Sequence, residues 1–500
     1  MADEEQKKES APGAAAEEVD VASLTEKMLA HTDVKELISD DNRERADLLL
    51  QTIIDYVDPT LEVEDIDVKF LDSALEKIDS LISSQLDQIM HHPDFQKLES
   101  AWRGLYWLVG RTDFSQNIKL ELLQATKDEL LDDFKDCGGD TKLSGLYKHL
   151  YDSAYGTPNG KPFGAMVLNY EFAHGEKDVS LLSYVAEVAS MSHSPVIGGV
   201  SGELFGPKGF DHLSDIDYSV KDALAGKEYA KWNGFREDEN SRYVGLVLPH
   251  FLLRTPYNAD HPDAAKEFTY TEQPAGKAEN YLWGNAAFTF ASRLTDSFAK
   301  YRWCWRIVGE ESGGMVDRLS MHTYVENGET VQKPPTDVRI AHAKEKQLSD
   351  QGMIPLAWLQ GKDQAVFYGA QSMGMPRIYP DTPEGNKKEA DDKIRTRLPY
   401  MFILSRFAHY IKRKQTKYIG KPTSAAAISK ELNEWIMQYV NKVDNPQNVG
   451  RRPLYDAGVT VEEDKRNPGV FLCDFWMIPH KMPTGFKTRL RLVTQQDLSK

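Results

Sequence analysis

Cysteine and long apolar runs are both scarce in this chain. The three cysteines, Cys137, Cys304 and Cys473, lie far apart and form no CxxC pair. This spacing argues against a disulfide framework and favours unbridged thiols in a reducing cytosol. No segment approaches the roughly 18 apolar residues of a membrane span, and the charged N-terminus lacks the apolar core of a secretory signal. We therefore expect a cytoplasmic protein with no membrane insertion.

Positive charge is also in deficit. The chain has 60 Lys and Arg residues against 77 Asp and Glu residues, a net charge of −17. Because phosphate binding needs a basic footprint, this balance argues against nucleic acid as a partner. With 500 residues the chain can bury a sizeable core and is expected to form roughly two to four structural units.

The first 110 residues are predicted to be a helical region behind a disordered tail. Residues 1–18 have almost no large apolar side chain, which is typical of disorder. Apolar residues then recur at helical spacing, beginning with a narrow stripe of Val21, Leu24 and Met28 behind a capping-box sequence. The pattern predicts an N-terminal helical region over 19–110, with helices at 21–29, 40–57, 67–90 and 93–109.

The last of these helices carries the clearest pattern in the chain. Pro93 suits the first helical position and Gly110 suits the end of the helix. Gly104 is unusual in a helix interior and predicts the close approach of another backbone. The apolar residues predict the buried face of a core helix, opposite a polar face where Glu99 and Arg103 can pair. That stripe consists of Phe95, Leu98, Trp102, Leu105, Tyr106 and Val109.

Residues 111–395 are predicted to form a central α/β domain, a mixed sheet with flanking helices. Apolar runs at 163–168, 195–200 and 243–248 are typical of strands buried on both faces of a parallel sheet. A further strand is predicted at 118–123. The polar segment 380–392 is predicted to be an exposed loop.

Residues 396–500 combine two helices with a pair of strands. Helices are predicted at 398–414 and 424–443, then a connector at 446–453, and strands at 470–478 and 486–493. The last strand alternates apolar with basic residues, as in a half-buried strand. Two interpretations stay open for this pair: a hairpin within the chain's own sheet, or strands that add to the sheet of another subunit.

Candidate chemical sites fail on spacing. The glycine-rich run at 197–206 follows a predicted strand, but its glycines fit neither GxGxxG nor a Walker motif. Asp211 to Asp217 lacks the glycine and the distal glutamate of a calcium loop. We therefore predict no catalytic, cofactor-binding or metal-binding residues. An α/β enzyme that uses the 197–206 loop is the alternative from another class.

A basic cluster ends the first C-terminal helix. Lys412, Arg413 and Lys414 are consecutive in a chain that is otherwise acidic. They could meet an acidic partner surface. Equally, they could be a solvated helix end, where the helix dipole favours cations.

Several segments, taken in order, resemble one family. They are HPDFQKLESAWRGLYWLV at 92–109, YGTPNGKPFGAMVLNYEF at 155–172, RYVGLVLPHFLLRTPY at 242–257, LWGNAAFTFASR at 282–293, FYGAQS at 367–372, RLPYMFILSRFAHYIK at 397–412 and LNEWIMQYV at 432–440. Together they resemble the large subunit of the contractile sheath of bacterial type VI secretion systems, the VipB/TssC family. The related sheaths of phage-like contractile injection systems are the alternative within this class.

The resemblance implies a phage-tail-sheath-like structural protein without enzymatic activity. Such a subunit pairs with a smaller sheath subunit (VipA/TssB-like) and stacks with its own copies into a helical sheath. The sheath encloses a tube of Hcp rings and stands on a baseplate. Contraction propels the tube, and the AAA+ ATPase ClpV then recycles the subunits.

The resemblance also assigns functions to particular segments. An ATPase-recognition helix is expected near 21–29, carried by Val21, Leu24, Met28 and Leu29. Residues 396–500 are expected to be an inner sheath domain whose strand pair joins an intersubunit sheet through Val470, Leu472, Phe486, Leu490 and Leu492. The cluster Lys412, Arg413 and Lys414 is a possible contact with the tube.

Overall fold

A computed structural model describes most of the chain beyond residue 67. The described ranges are 68–157, 160–215, 219–258, 278–326, 328–415, 424–442, 451–463, 471–480 and 488–490, with residues 48, 52, 261, 268, 270–272, 274 and 418. The predicted tail at 1–18 and the predicted helix at 21–29 lie outside them. The chain divides into two compact units, one of residues 1–92 with 257–273 and the other of residues 93–256 with 274–500. The division predicted after residues 110 and 395 stays a prediction.

The first unit contains helix α1, Val68–Met90, as the spacing predicted. At its C-terminal end, Asp87 accepts a hydrogen bond from the hydroxyl of Tyr270 at 2.5 Å. His91 lies 3.0 Å from the buried carboxylate of Glu272. These polar contacts tie the end of α1 to the 270–272 segment of the same unit.

The second unit is organised around a parallel sheet of four strands in the order β1-β2-β3-β9. The strands are β1 Met166–Phe172, β2 Val196–Val200, β3 Val244–Leu248 and β9 Met353–Pro355. The α/β class is therefore confirmed, and so are the strands predicted at 195–200 and 243–248. The first strand starts three residues later than predicted.

Helices cover both faces of this sheet. They are α3 Lys127–Asp136, α4 Glu176–Ser192, α5 Ala230–Glu237, α6 Ala287–Tyr301, α7 His342–Asp350, α8 Pro383–Arg395 and α9 Leu398–Gln415. Successive strand residues point to opposite faces. Val196 and Leu246 therefore share one core with α3, α4 and α5, whereas Ile197 and Val247 share the other with α6 and α9.

Antiparallel pairing is confined to smaller sheets. One has the order β10-β11-β6, and two are pairs, β4-β5 and β7-β8. The strands are β4 Phe251–Leu252, β5 Trp283–Gly284, β6 Met315–Val316, β7 His322–Glu326, β8 Glu329–Lys333, β10 Ala357–Trp358 and β11 Ala365–Val366. Shorter helical turns lie at Phe114–Gln116, Thr141–Leu143, Gly145–Tyr147, Lys148–Asp152, Ser153–Tyr155, Gly202–Phe205, Asp211–Asp215, Val220–Ala223, Lys227–Tyr229, Glu239–Tyr243, Ala278–Asn280 and Met437–Tyr439.

Two local predictions in this region are wrong. Residues 118–126 have no regular secondary structure, so the strand predicted at 118–123 does not form within this chain. The segment predicted as a loop at 380–392 is mostly α8. Thr382 caps this helix by accepting a hydrogen bond from the Gly385 N–H, and Pro383 occupies its first turn. The cap and the proline start the helix despite its polar composition.

Helix α2, Pro93–Gly110, has the predicted bounds but docks through the opposite face. Its buried residues are Gly104 and Leu108, whereas Trp102 is 60% and Tyr106 78% exposed. A Cβ on Gly104 would lie 2.6 Å from the Phe288 ring of α6. Gly104 is closely packed, but the prediction that another backbone approaches it is wrong, because the neighbour is the Phe288 side chain of the same chain. The prediction of a buried apolar stripe is wrong.

The polar side of α2 explains this inversion. Glu99 pairs with Arg103 at 2.7 Å and with the buried Arg254 at 2.9 Å. Ser100 donates a hydrogen bond to the Trp283 carbonyl at 2.7 Å. Because the polar face meets fixed partners and Gly104 admits an aromatic ring, the helix is anchored by the side that was expected to face solvent.

The C-terminal part places two helices against a second sheet. Helix α9 matches its predicted range, and α10, Ala425–Ile436, ends before the predicted residue 443. The sheet has three antiparallel strands in the order β12-β13-β14: Leu454–Glu463, Phe471–Pro479 and Thr488–Leu490. Strand β12 was not predicted. Phe407 of α9, Leu432 of α10 and Phe475 of β13 are fully buried in the core between them.

Candidate assembly surfaces

The C-terminal sheet is built around β13. Val459 of β12 and Leu490 of β14 lie on either side of Phe475. Cys473, Phe475 and Met477 alternate along β13 and are fully buried, which fixes the register of the strand. The two candidate strands are thus a hairpin in the chain's own sheet, together with the unpredicted β12.

The outer edge of β12 is closed by a helix. The side-chain amide of Asn433 in α10 donates a hydrogen bond to the Val459 carbonyl and accepts one from the Val459 N–H at 2.9 Å. Ser429 also donates to the Val459 carbonyl, at 3.1 Å. An unpaired edge is a template for another strand, so these contacts block strand addition at this point.

The pairing on the other side of the sheet follows from this contact. Because Val459 turns its main-chain groups toward Asn433, its partner Phe475 turns its own toward β14, and Phe475 and Leu490 form a hydrogen-bonded pair. The next pair, Trp476 and Arg489, does not bond, so Arg489 presents its N–H and C=O to the outer edge. In the part of the chain that the structure describes, no strand pairs with that edge.

The predicted intersubunit residues divide between these strands and undescribed positions. Leu472 lies in β13 and is half-buried, and Leu490 pairs with Phe475. Val470, Phe486 and Leu492 lie outside the described residues. Strand exchange through this pair stays a prediction.

The basic cluster ends α9. Lys412 donates a hydrogen bond to the Met191 carbonyl at 3.0 Å and lies over the rings of Tyr151 and Tyr155. Burial lowers the pKa of Lys412 to about 8. Lys414 lies over the ring of Trp435. The tube contact stays a prediction, with Lys412 the least accessible of the three because its ammonium is held within the chain.

Two buried histidines join α9 to the end of α4. The His409 ring donates a hydrogen bond to the Ser192 carbonyl at 3.1 Å, and burial lowers its pKa to about 3. His193 contacts the Tyr243 hydroxyl at 3.2 Å, and burial holds its pKa well below the ordinary value. Both rings are neutral and structural. A cavity of about 50 Å³ beside His409 is far smaller than the roughly 300–1,000 Å³ of a cofactor site.

A charged cluster lies at the carboxyl end of the parallel sheet, where many α/β proteins bind ligands. His250 contacts Asp337 through Nδ1 and Glu171 through Nε2, both at 2.7 Å. Burial disfavours the imidazolium, but the two carboxylates outweigh it and raise the pKa of His250 well above the ordinary value. Because both ring nitrogens of His250 are engaged, the imidazole ties three segments together and has no free nitrogen for a ligand.

The glycine run beside this cluster also has a packing explanation. A Cβ on Gly199 would lie 2.7 Å from the Asn285 side chain, and one on Gly198 would lie 3.1 Å from the Phe172 ring. The glycines of β2 therefore make room for neighbouring side chains. Among the described residues, no group of three or more His, Cys, Asp or Glu side chains could hold a metal ion.

Sequence reasoning missed the His250 cluster and the Asn433 contact. Glu171 and Asp337 are 79 and 87 residues from His250, and the only available signal was that Glu171 and His250 fall near the ends of predicted strands. For Asn433 no local signal existed, because its partner strand was not predicted.

Comparison with known families decides what these surfaces belong to. The VipB model, described as EvpB/VC_A0108, tail sheath N-terminal domain, matches residues 72–374, and a second model, VipB_2, described as the tail sheath gpW/gp25-like domain, matches residues 387–496. The chain belongs to the VipB family of tail sheath proteins. This family is structural and is not an enzyme family, so the enzyme alternative at 197–206 is set aside.

A curated relative supports the same family. The type VI secretion system sheath protein TssC1 of Pseudomonas aeruginosa is 35% identical over 460 residues, covering 91% of each chain. This relationship confirms the resemblance to the large sheath subunit of type VI secretion systems.

Solved structures add only weak likenesses. The baseplate of the anti-feeding prophage matches with 11% identity, covering 76% of this chain and 84% of that one, at a TM-score of 0.35. The contracted helical sheath of the same system matches with 10% identity, covering 64% and 67%, at a TM-score of 0.29. At these TM-scores we base no conclusion about fold or function on the two structures. Among the described residues, no helix is long and apolar enough to cross a membrane.

Proposed function

We propose that this VipB-family chain is the large subunit of a two-component contractile sheath in the bacterial cytoplasm. It pairs with a smaller sheath subunit and stacks helically around a tube of Hcp rings above a baseplate. Contraction propels the tube, and a ClpV ATPase recycles the subunits through the helix expected at Val21–Leu29. Family membership supports this proposal, and the resemblance supplies the partners.

The C-terminal sheet is the observation that carries the assembly step. One edge is closed by Asn433, and the opposite edge presents the main-chain groups of Arg489. In the described part of the chain this sheet has one closed and one unpaired edge, and such a sheet accepts a strand from one side only. Such a contact is head-to-tail, and head-to-tail contacts that do not close into a ring produce helical polymers.

Proline at position 489 tests this step. Arg489→Pro removes the outward N–H and leaves the hydrogen bonds between β13 and β14 intact, since an edge strand tolerates proline on its free side. We expect this variant to bind the small subunit but to form no long sheaths. The matched control, Arg489→Ala, removes the same side chain, keeps the N–H and is expected to assemble. Normal sheaths from Arg489→Pro would contradict the proposed edge.

A further inference from the structure

Helix α2 exposes a full apolar stripe. Tyr106 and Trp102 are the most exposed of its large residues, at 78% and 60%. The other members of the stripe are Phe95, Leu98 and Val109, at 36%, 57% and 38% exposed. Their spacing places all five on one side of the helix.

The helix cannot turn this stripe inward. Its other side is held by the Glu99–Arg254 ion pair, in which both side chains are largely buried, and by Gly104 against the Phe288 ring. Rotation would break that ion pair and drive a side chain into the ring. Among the described residues, the contacts of α2 therefore hold the stripe outward.

The segment after α2 also exposes apolar side chains. Residues 118–125 make no backbone–backbone hydrogen bond within the described residues, although their sequence predicted a strand. Leu120, Leu122 and Leu123 are 38%, 65% and 53% exposed, and Phe114 just before them is 48% exposed. The Ala125 carbonyl accepts a hydrogen bond from the Tyr170 hydroxyl. A strand-forming sequence whose main-chain groups make no other backbone pairing is suited to pairing with a strand of another chain.

These residues account for much of the exposed apolar surface. Of the twenty large hydrophobic residues that are exposed in the described part of the chain, nine lie between Phe95 and Leu123. Scaled from roughly 150–250 Å² for an aromatic side chain, the exposed fractions of the four aromatic residues alone (Phe95, Trp102, Tyr106 and Phe114) amount to on the order of 400 Å². The largest apolar patch of an ordinary monomer is about 300–600 Å² and is often functional. The aromatic residues alone therefore expose as much apolar area as an interaction site.

We propose that the stripe of α2 and residues 118–125 form the docking surface for the smaller sheath subunit. The partner lays an amphipathic helix along Trp102 and Tyr106 and pairs a strand with the segment from Ile118 to Ala125. This assignment rests on the proposed function, because it takes its occupant from the two-component sheath. A second copy of this chain is the poorer occupant, since the same face on both partners closes at a dimer and cannot propagate.

Paired charges at the centre of the stripe test the surface. The full-length double variant Trp102→Glu and Tyr106→Glu is titrated with the purified small subunit, and its Kd is compared with that of the wild type. We expect at least about a thirtyfold loss of affinity, as for central aromatic anchors. Leu120→Asp with Leu122→Asp is expected to weaken binding as well. The control, Ile378→Glu, changes a residue that is 90% exposed elsewhere and should bind like the wild type.

The outcomes separate this surface from the proposed function. A wild-type chain that does not bind the small subunit would contradict the proposed function itself. Wild-type binding that either double variant retains in full would overturn this surface alone. Two further outcomes would overturn the surface by identifying another occupant. If the Trp102 and Tyr106 variant bound the small subunit normally but no longer formed a dimer that the wild type forms, the occupant would be a second copy of this chain. If the variant bound normally but its melting temperature fell as much as it does on removal of residues 1–67, the occupant would be that N-terminal segment. Because all four side chains are exposed, we expect unchanged melting.

Discussion

The side-chain amide of Asn433 bonds both main-chain groups of Val459, so that a helix takes the place of a fourth strand at the outer edge of β12. The contact closes an edge that would otherwise recruit strands indiscriminately. It thereby leaves the C-terminal sheet with one direction of growth.

Asn433→Ala should destabilise the chain and open the β12 edge. The Val459 N–H loses its partner and the Val459 carbonyl keeps only the Ser429 hydroxyl, so we expect the free energy of unfolding to fall by about 1–3 kcal/mol. The open edge should also promote self-association of the isolated chain. Denaturant unfolding and light scattering measure the two effects. The neighbouring exposed variant Glu434→Ala should change the free energy of unfolding by no more than about 0.5 kcal/mol.

Gly104→Ala should overpack the contact between α2 and α6. The new Cβ would lie 2.6 Å from the Phe288 ring, and overpacking of this kind costs about 1–3 kcal/mol. Adding Phe288→Leu should recover part of that loss, because the smaller side chain frees the space that the methyl needs. Denaturant unfolding of the two single variants and the double variant measures the coupling. Strictly additive losses would show that the two residues do not interact.

His250 should make stability depend on pH in a defined direction. The folded-state pKa of His250 lies well above that of the unfolded chain, so its contribution is complete below about pH 6.5 and is lost as the pH rises through the folded pKa. His250→Gln should cost about 1–3 kcal/mol at pH 6, because the largely buried Asp337 and the half-exposed Glu171 lose their counter-charge. The difference from the wild type should shrink at higher pH. A difference that does not change between pH 6 and pH 10 would exclude a charged imidazole.

Lys412 should show the opposite dependence. Its pKa is lowered to about 8 in the folded chain by burial, so the folded state releases its proton before the unfolded state does. Stability should therefore rise between about pH 8 and pH 10.5. Lys412→Met removes the buried cation and should abolish this rise in a comparison of pH-dependent unfolding curves. The exposed cation of Lys430 offers a control, since Lys430→Met should leave the rise unchanged.

Local sequence patterns predicted the elements better than their surroundings. Buried apolar runs predicted β2 and β3 because a parallel sheet covered on both faces selects such runs. The capping pair at Thr382 and Pro383 was a readable signal for α8, but the polar composition of the segment outweighed it. Strand β12 was not predicted. Its sequence does alternate, with Val459 and Val461 on the buried side of the sheet and polar residues between them.

The faces of α2 show what periodicity cannot supply. Its spacing predicted the bounds of the helix correctly, yet it could not tell whether the stripe around Trp102 faces the chain's own core or a partner. That choice depends on Arg254 and Phe288, which are distant in sequence. Gly104 was the only residue within α2 whose type indicated which face of the helix packs against the rest of the chain.

Electron microscopy of the chain co-expressed with its small sheath subunit tests whether the two subunits build a sheath. We expect helical tubules of uniform diameter from the wild-type pair. We expect soluble pairs without tubules when Arg489 is replaced by proline. Wild-type preparations that contain only discrete particles, or no complex with the small subunit, would contradict the proposed role as a sheath subunit.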